Sequence, residues 1–190
     1  GDYSVAMGLD LIVQGTASAA FGYENYVYGD YAFASGGTCD ASGDYSVAMG
    51  NGAVASQTNA VAIGKSVTSS GDSSIALGWS ATADGDYSFA GTASYAGEDF
   101  AAAMAGGYST GIASFSTSAG VANGDYSFAT TYGSASGNFS IAMGDSSIAS
   151  GAHTVAIGYS LNATAYSSVV VGIYNEDRYD DTDATTTAAA

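Results

Sequence analysis

Basic residues are nearly absent. The 190 residues include only Lys65 and Arg178 against 18 acidic side chains, for a formal charge of −16. Neutralising phosphates takes clustered Lys and Arg, which excludes nucleic acid as a partner and with it nuclease, polymerase and kinase chemistry. There is no Pro, one Cys (Cys39) and one His (His153). A lone Cys permits no internal disulfide, and with a single His it cannot complete a tetrahedral zinc site of the usual ligands. No run approaches the roughly 20 apolar residues of a membrane helix, and no stretch has the layout of a signal peptide. Membrane insertion by this segment is therefore not expected. Bulk is scarce as well: 18.7 kDa over 190 residues is roughly 98 Da per residue, the mark of Gly, Ala, Ser and Thr, and it predicts a thin core.

Repetition is what the chain has in abundance. Gly1-Asp-Tyr-Ser-Val-Ala-Met-Gly8 returns unchanged as residues 43–50. Related rows begin at Gly15, Gly29, Gln57, Gly71, Gly85, Glu98, Gly111, Gly124, Gly137, Gly151 and Ala165, making thirteen rows. The spacing is 14 residues except between 85 and 137, where four rows have 13. The chain opens at Gly1 already inside a row, as expected of a fragment or processed product. Ala holds the sixth place in eleven of the thirteen rows, with Ser116 and Val170 as exceptions.

Large side chains recur at the third, fifth and seventh places, as in Tyr3, Val5 and Met7 or Phe139, Ile141 and Met143, with Ser or Ala between them. A period of two rich in aromatic and β-branched residues predicts a strand. Gly at the first and eighth places predicts turns with positive φ on either side. A second, small-residue segment such as residues 52–56 completes each row. The reading is an all-β, parallel β-solenoid or β-roll of about thirteen 13–14-residue coils over residues 1–172, on the order of 60 Å long at about 4.8 Å per row. The acidic, then low-complexity residues 173–190 read as a tail or linker. The Tyr/Val/Met face is expected to fill the coil and the Ser/Ala face to admit another sheet, with the opposite assignment as the alternative. Each coil buries only a narrow strip, so oligomerisation is the expected remedy.

Asn59-Ala-Val-Ala-Ile-Gly64, Ser74-Ile-Ala-Leu-Gly78 and Thr154-Val-Ala-Ile-Gly158 resemble the S-V-A-I-G head repeat of YadA-like trimeric autotransporter adhesins. The resemblance covers about residues 1–172, and residues 169–175 look like the G-x-Y-N close of such arrays. It implies a left-handed parallel β-roll assembled as a homotrimer, placed outside the cell or on its surface. It also implies a non-enzymatic fibre or adhesin head that attaches by many weak contacts to a host surface protein or glycan. Similar repeats occur in phage and viral fibres, so a virion-surface fibre for host attachment is the alternative, followed by a self-assembling structural filament. No basic neck, heptad stalk or β-barrel anchor is present in these residues.

Several residues are candidates for contact or binding. Asp30, Asp44, Asp72, Asp86 and Asp99 share the second place, and stacked carboxylates about 5 Å apart repel unless hydrated or bridged. They form a candidate Ca²⁺ ladder, with hydrated turn residues as the simpler reading and no cofactor required. Tyr23, Tyr26, Tyr28 and Trp79 lie outside the third-place aromatic series and are candidates for surface contact. His153 replaces a ladder aromatic, and Cys39 reads as a small corner filler. The short rows 85–136 lose the eighth-place Gly and read as a shape adjustment of the rod or as a groove. Three chains would carry a charge near −48, three times −16, which suits salt-rich water.

Overall fold

The computed structural model describes residues 1–174. The acidic stretch Glu176–Asp183 and the low-complexity end lie outside the described residues. Each of the first twelve rows makes a strand that starts at the fifth place and a second strand of two residues. The thirteen long strands form one parallel sheet in sequence order and the twelve short strands form a second. The result is about twelve turns of solenoid, with the thirteenth row contributing its long strand, Val169–Ile173. Among the described residues no helix is long and apolar enough to cross a membrane.

Register is strict from end to end. Val47 pairs with Val61, Ala48 with Ala62 and Gly50 with Gly64, and in the short rows Phe115 pairs with Phe128 and Ser116 with Ala129. The first eight places of the repeat therefore become columns along the rod in both row lengths, and beyond them the short rows pair one place earlier, as Tyr95 does with Thr82.

Two corners per turn hold a residue near φ +55°. The first is the third place, from Tyr3 at 59° to Ser167 at 56°. The large third-place residues are thus corner residues, and the long strand begins at the fifth place, as in Val61–Lys65. The eighth-place Gly, expected in a turn, lies within that strand: Gly64 has φ +145°, and a Cβ there would stand 1.8 Å from the Gly78 carbonyl oxygen. Close approach of successive rungs, together with a backbone shape L residues avoid, is what requires glycine.

The interior belongs to the small residues. Sixth-place Ala20, Ala34, Ala48, Ala62 and Ala76 are fully buried, as are Ala41, Ala55 and Ala83 on the short strands. Fifth- and seventh-place side chains point outward: Met49, Ile63, Ile75 and Met143 all count among the exposed large apolar groups. The alternative face assignment is therefore the one the chain adopts. Between the facing strands most of the room is taken by methyl and hydroxymethyl groups; of the larger residues Val27 is buried on a short strand, Val67 and Leu161 fill the second corner, and the large fifth- and seventh-place side chains lie outside.

Fourth-place serines line the first corner from within. Ser74 donates from Oγ to the Gly71 carbonyl at 2.7 Å, whereas the buried Ser127 Oγ has no hydrogen-bond partner. A buried hydroxyl without a partner costs about 1–3 kcal/mol, while a made hydrogen bond contributes about 1. Ser127→Ala is expected to leave stability unchanged or raise it, and Ser74→Ala to lower it by about 1 kcal/mol, as urea unfolding would read. A loss at Ser127 as large as that at Ser74 would contradict the assignment.

Rows 85–136 turn their second corner more tightly. In the last three of them Ala105-Gly106, Ser118-Ala119 and Thr131-Tyr132 place two consecutive residues at positive φ, while the first has Ala93 alone, and the strands shrink to two or three residues, such as Phe89–Ala90 and Phe128–Thr130. Behind each pair comes a glycine. A Cβ on Gly107 would meet the Ser116 carbonyl oxygen at 2.6 Å, and one on Gly133 the Ala142 oxygen at 2.7 Å. The missing residue is absorbed in this corner, so the ninth-place column of outward residues is interrupted there.

Candidate functional site

The outward surface carries three kinds of column. The first is the second-place acidic ladder. Asp30, Asp44, Asp72, Asp86 and Asp99 are all exposed, and four of them accept a hydrogen bond from the backbone N–H one row earlier. Asp30 Oδ1 accepts from Thr16 at 2.7 Å, Asp44 from Asp30 at 2.9 Å, Asp86 from Asp72 at 2.8 Å and Asp99 from Asp86 at 3.0 Å. The same bond recurs from Asp125 to Asn138 Oδ1 at 3.1 Å. These side chains staple successive corners through hydrogen bonds to an ionised acceptor, the stronger kind. Among the described residues no group of three or more His, Cys, Asp or Glu side chains is arranged to hold a metal ion.

The second column is aromatic and stands at the first corner. Tyr31 stacks on Tyr45 at 5.0 Å, Tyr87 on Phe100 at 5.2 Å and Tyr126 on Phe139 at 5.0 Å, with planes within 7° of parallel. His153 continues the last run, 5.0 Å from Phe139 and 1° from parallel. It is a rung of the ladder, as its third-place position implied. The rings cover one another's faces and show their edges to water.

The third column lies along the outer face of the long-strand sheet. Val61, Ile63 and Lys65 are followed one row on by Ile75, Leu77 and Trp79, and near the far end Val155 and Ile157 sit beside Val169 and Val171. The fifth and seventh places are apolar in most rows, and Phe115 stacks on Phe128 at 5.3 Å among them. This strip runs the length of the rod.

The four contact candidates do not form one site. Tyr23 and Trp79 both end long strands in the ninth place, four rows and about 19 Å apart. Tyr26 lies on the short strand Tyr26–Val27 of the opposite sheet and Tyr28 directly follows it, their rings 6.4 Å apart and 12° from parallel. All four are exposed. The Tyr23 hydroxyl donates to Glu24 Oε1 at 2.6 Å, and that bond to a carboxylate raises its pKa above the ordinary 10.0. A comparable stack in the short-strand sheet, Tyr95 on Tyr108 at 4.9 Å, was not singled out from sequence. Its signal was the 13-residue spacing of two tyrosines in the short rows. Burial, then the Asp84 carboxylate, raises the Tyr95 pKa.

Cys39 is a free, buried thiol in the interior, 3.5 Å from the Gly50 carbonyl oxygen. One row earlier the same column holds Asn25, which donates from Nδ2 to the Phe21 carbonyl at 2.8 Å and accepts from Cys39 N–H at 2.8 Å. Both fill the second corner from inside.

A column of small inward residues alternating with an apolar outer strip is the arrangement by which the repeat can be compared with known families. Residues 41–66, 69–90 and 135–160 match the YadA head domain repeat, in two copies. The chain carries YadA-like head repeats. Between the last two matched YadA segments residues 91–134 are left out, all of them in the 13-residue rows 85–136, where the eighth-place glycine is lost. No curated protein matches the chain.

Proposed function

We propose that this chain is the adhesive head of a surface fibre, working as a homotrimer of left-handed β-rolls whose long-strand faces pack together. The observation that carries the proposal is the apolar outer strip. Each row adds one or two large side chains such as Ile63, Ile75, Met143 and Ile157, which remain more than a third exposed in the single chain. Over twelve row steps the strip is about 58 Å long, and contiguous apolar surface of that extent marks an interaction site. A second and third copy of the same strip match it in length and character. The YadA-like head repeats support the same assembly and a place at the cell surface.

Attachment then works by repetition. Three rods present each exposed column three times, so that weak contacts with a host surface protein or glycan are held by avidity. Tyr23, Tyr26, Tyr28 and Trp79 supply amphipathic contact area, and the reading asks no residue to do covalent chemistry. Beads coated with the chain are expected to be retained on layers of host-type cells or matrix protein. Beads coated with an Ile63→Asp, Ile75→Asp, Ile157→Asp variant, which cannot trimerise, should lose at least about tenfold in retention. Equal retention of both, or none with the wild type, would overturn the proposal.

A further inference from the structure

The aromatic ladder has missing rungs. In row order the third place reads Tyr3, Ala17, Tyr31, Tyr45, Asn59, Ser73, Tyr87, Phe100, Ala113, Tyr126, Phe139, His153, Ser167. At Ala113 a single ring is absent between two that are present. Phe100 is backed by Tyr87 at 5.2 Å and 7°, and Tyr126 by Phe139 at 5.0 Å and 6°. Their other faces look toward the Ala113 row from either side. Two row steps separate them, roughly 10 Å between ring centres, which is the room the ladder elsewhere gives to one planar group. Both wall rings are more than half exposed, so the slot opens to solvent, and the stack behind each wall holds it in place before anything binds.

The charge around the slot selects among planar groups. Asp99 and Asp125 stand beside the walls at the second place. Each gives one oxygen to a backbone amide, Asp86 N–H and Ile112 N–H respectively, both at 3.0 Å, which leaves the second oxygen of each carboxylate to accept from an incoming donor. The whole chain carries −16. A flat group that is cationic and rich in N–H donors meets all of these conditions, and guanidinium is the protein group of that description.

We propose that the Ala113 slot receives the guanidinium of an arginine displayed by a cationic protein partner, sandwiched between Phe100 and Tyr126 and hydrogen-bonded to the flanking carboxylates. A related gap lies at Ala17, between Tyr3 and Tyr31: Asp30 again accepts the amide proton of the middle row, from Thr16 at 2.7 Å, and Tyr31 is backed by Tyr45 at 5.0 Å, while Tyr3, in the first row, has no ring behind it among the described residues. The two slots are seven rows apart, about 34 Å, so one partner with spaced arginines can engage both. The inference gives a chemistry to the attachment proposed above and rests on that reading.

The test passes the full chain over immobilised hepta-arginine, hepta-lysine and a neutral tyrosine-rich peptide at 0.15 M salt. Net charge attracts both cationic peptides alike, whereas only arginine stacks. The expected result is at least about fivefold tighter retention on arginine than on lysine. It should fall to parity in an Ala17→Phe, Ala113→Phe variant whose added rings fill both slots. Phe already occupies this corner at Phe100 and Phe139 with φ of 59° and 57°, so the variant should melt no lower than the wild type. Equal retention on arginine and lysine, a preference that survives in the variant, or a tyrosine peptide that equals arginine would each overturn the slot. Beads that hold to cells while the chain ignores arginine overturn the slot and leave attachment standing. Arginine-selective binding without cell attachment does the reverse.

Discussion

Gly64→Ala is expected to cost about 3 kcal/mol or more and, in a rod this thin, to remove cooperative unfolding of the central rows. The added methyl would lie 1.8 Å from the Gly78 carbonyl oxygen and 2.7 Å from its carbon, at a φ of +145°. Neither atom belongs to a flexible side chain. Relief requires the two rungs to part by more than 1 Å, and the interstrand bonds on both sides of Gly64 would be lost with them. Gly52→Ala is the matched control. Its φ is +64°, its nearest neighbour would be Thr38 Oγ1 at 3.9 Å, and Asp10, Glu24 and Thr38 hold the same place in other rows at 51–55°. It should change stability by less than about 1 kcal/mol. Urea unfolding of the two variants beside the wild type reads the difference, and similar losses at the two sites would contradict the packing described.

The second large effect is expected in the alanine column. Ala62 is fully buried and sits in register between Ala48 and Ala76, with nowhere for three further carbons to go. Ala62→Leu should destabilise by about 3 kcal/mol through overpacking. Ser35→Leu adds a side chain of similar bulk to the outer face, in the column that already holds Phe21 and Met49. It should be tolerated within about 1 kcal/mol. Thermal melting of the two variants compares the inside of the coil with the outside directly, and equal tolerance would mean that the small residues do not line a filled interior.

These two experiments bear on what could be read from sequence. The period, the strand in each row, the parallel stacking and the columns it produces were all legible, because thirteen repetitions of one pattern with strict spacing admit few other structures. The facing of the strands was not. Rank by hydrophobicity puts Val, Ile and Met inside, and that rule fails where the buried places of the long strands are held almost entirely by Ala. The telling signal was the constancy of Ala at the sixth place, since the position that tolerates least variation in size is the one enclosed on all sides. Tyr and Phe at the third place continue the period-two alternation and so read as part of the strand, and a bulky residue at positive φ is uncommon. In the fold the corner belongs to the place and not to the ring: Ala17, Asn59 and Ser73 take the same φ of 52–57°, and the third-place N–H donates to a carbonyl of the preceding row, as Tyr45 does to Asp30 at 2.8 Å. The glycine of the eighth place was recognised as constrained, but the constraint is the neighbouring rung.

Among candidate residues, the exposure of Tyr23, Tyr26, Tyr28 and Trp79 followed from their places outside the ladder. Their dispersal over two sheets followed from corner geometry that the spacing did not reveal. The second-place Asp column was legible as a column. Its bonds to the preceding amide depend on where the corner turns, which only the fold supplies.

The central claim is that the chain turns its small residues inward and leaves its large ones to be covered by copies of itself. The mass in solution, measured by sedimentation equilibrium, tests it most directly. The account predicts a species of about 56 kDa, three times the 18.7 kDa of one chain, which falls to the single-chain mass when Ile63, Ile75 and Ile157 become Asp. A wild-type chain that stays folded as a monomer, with the apolar strip in water, would contradict it.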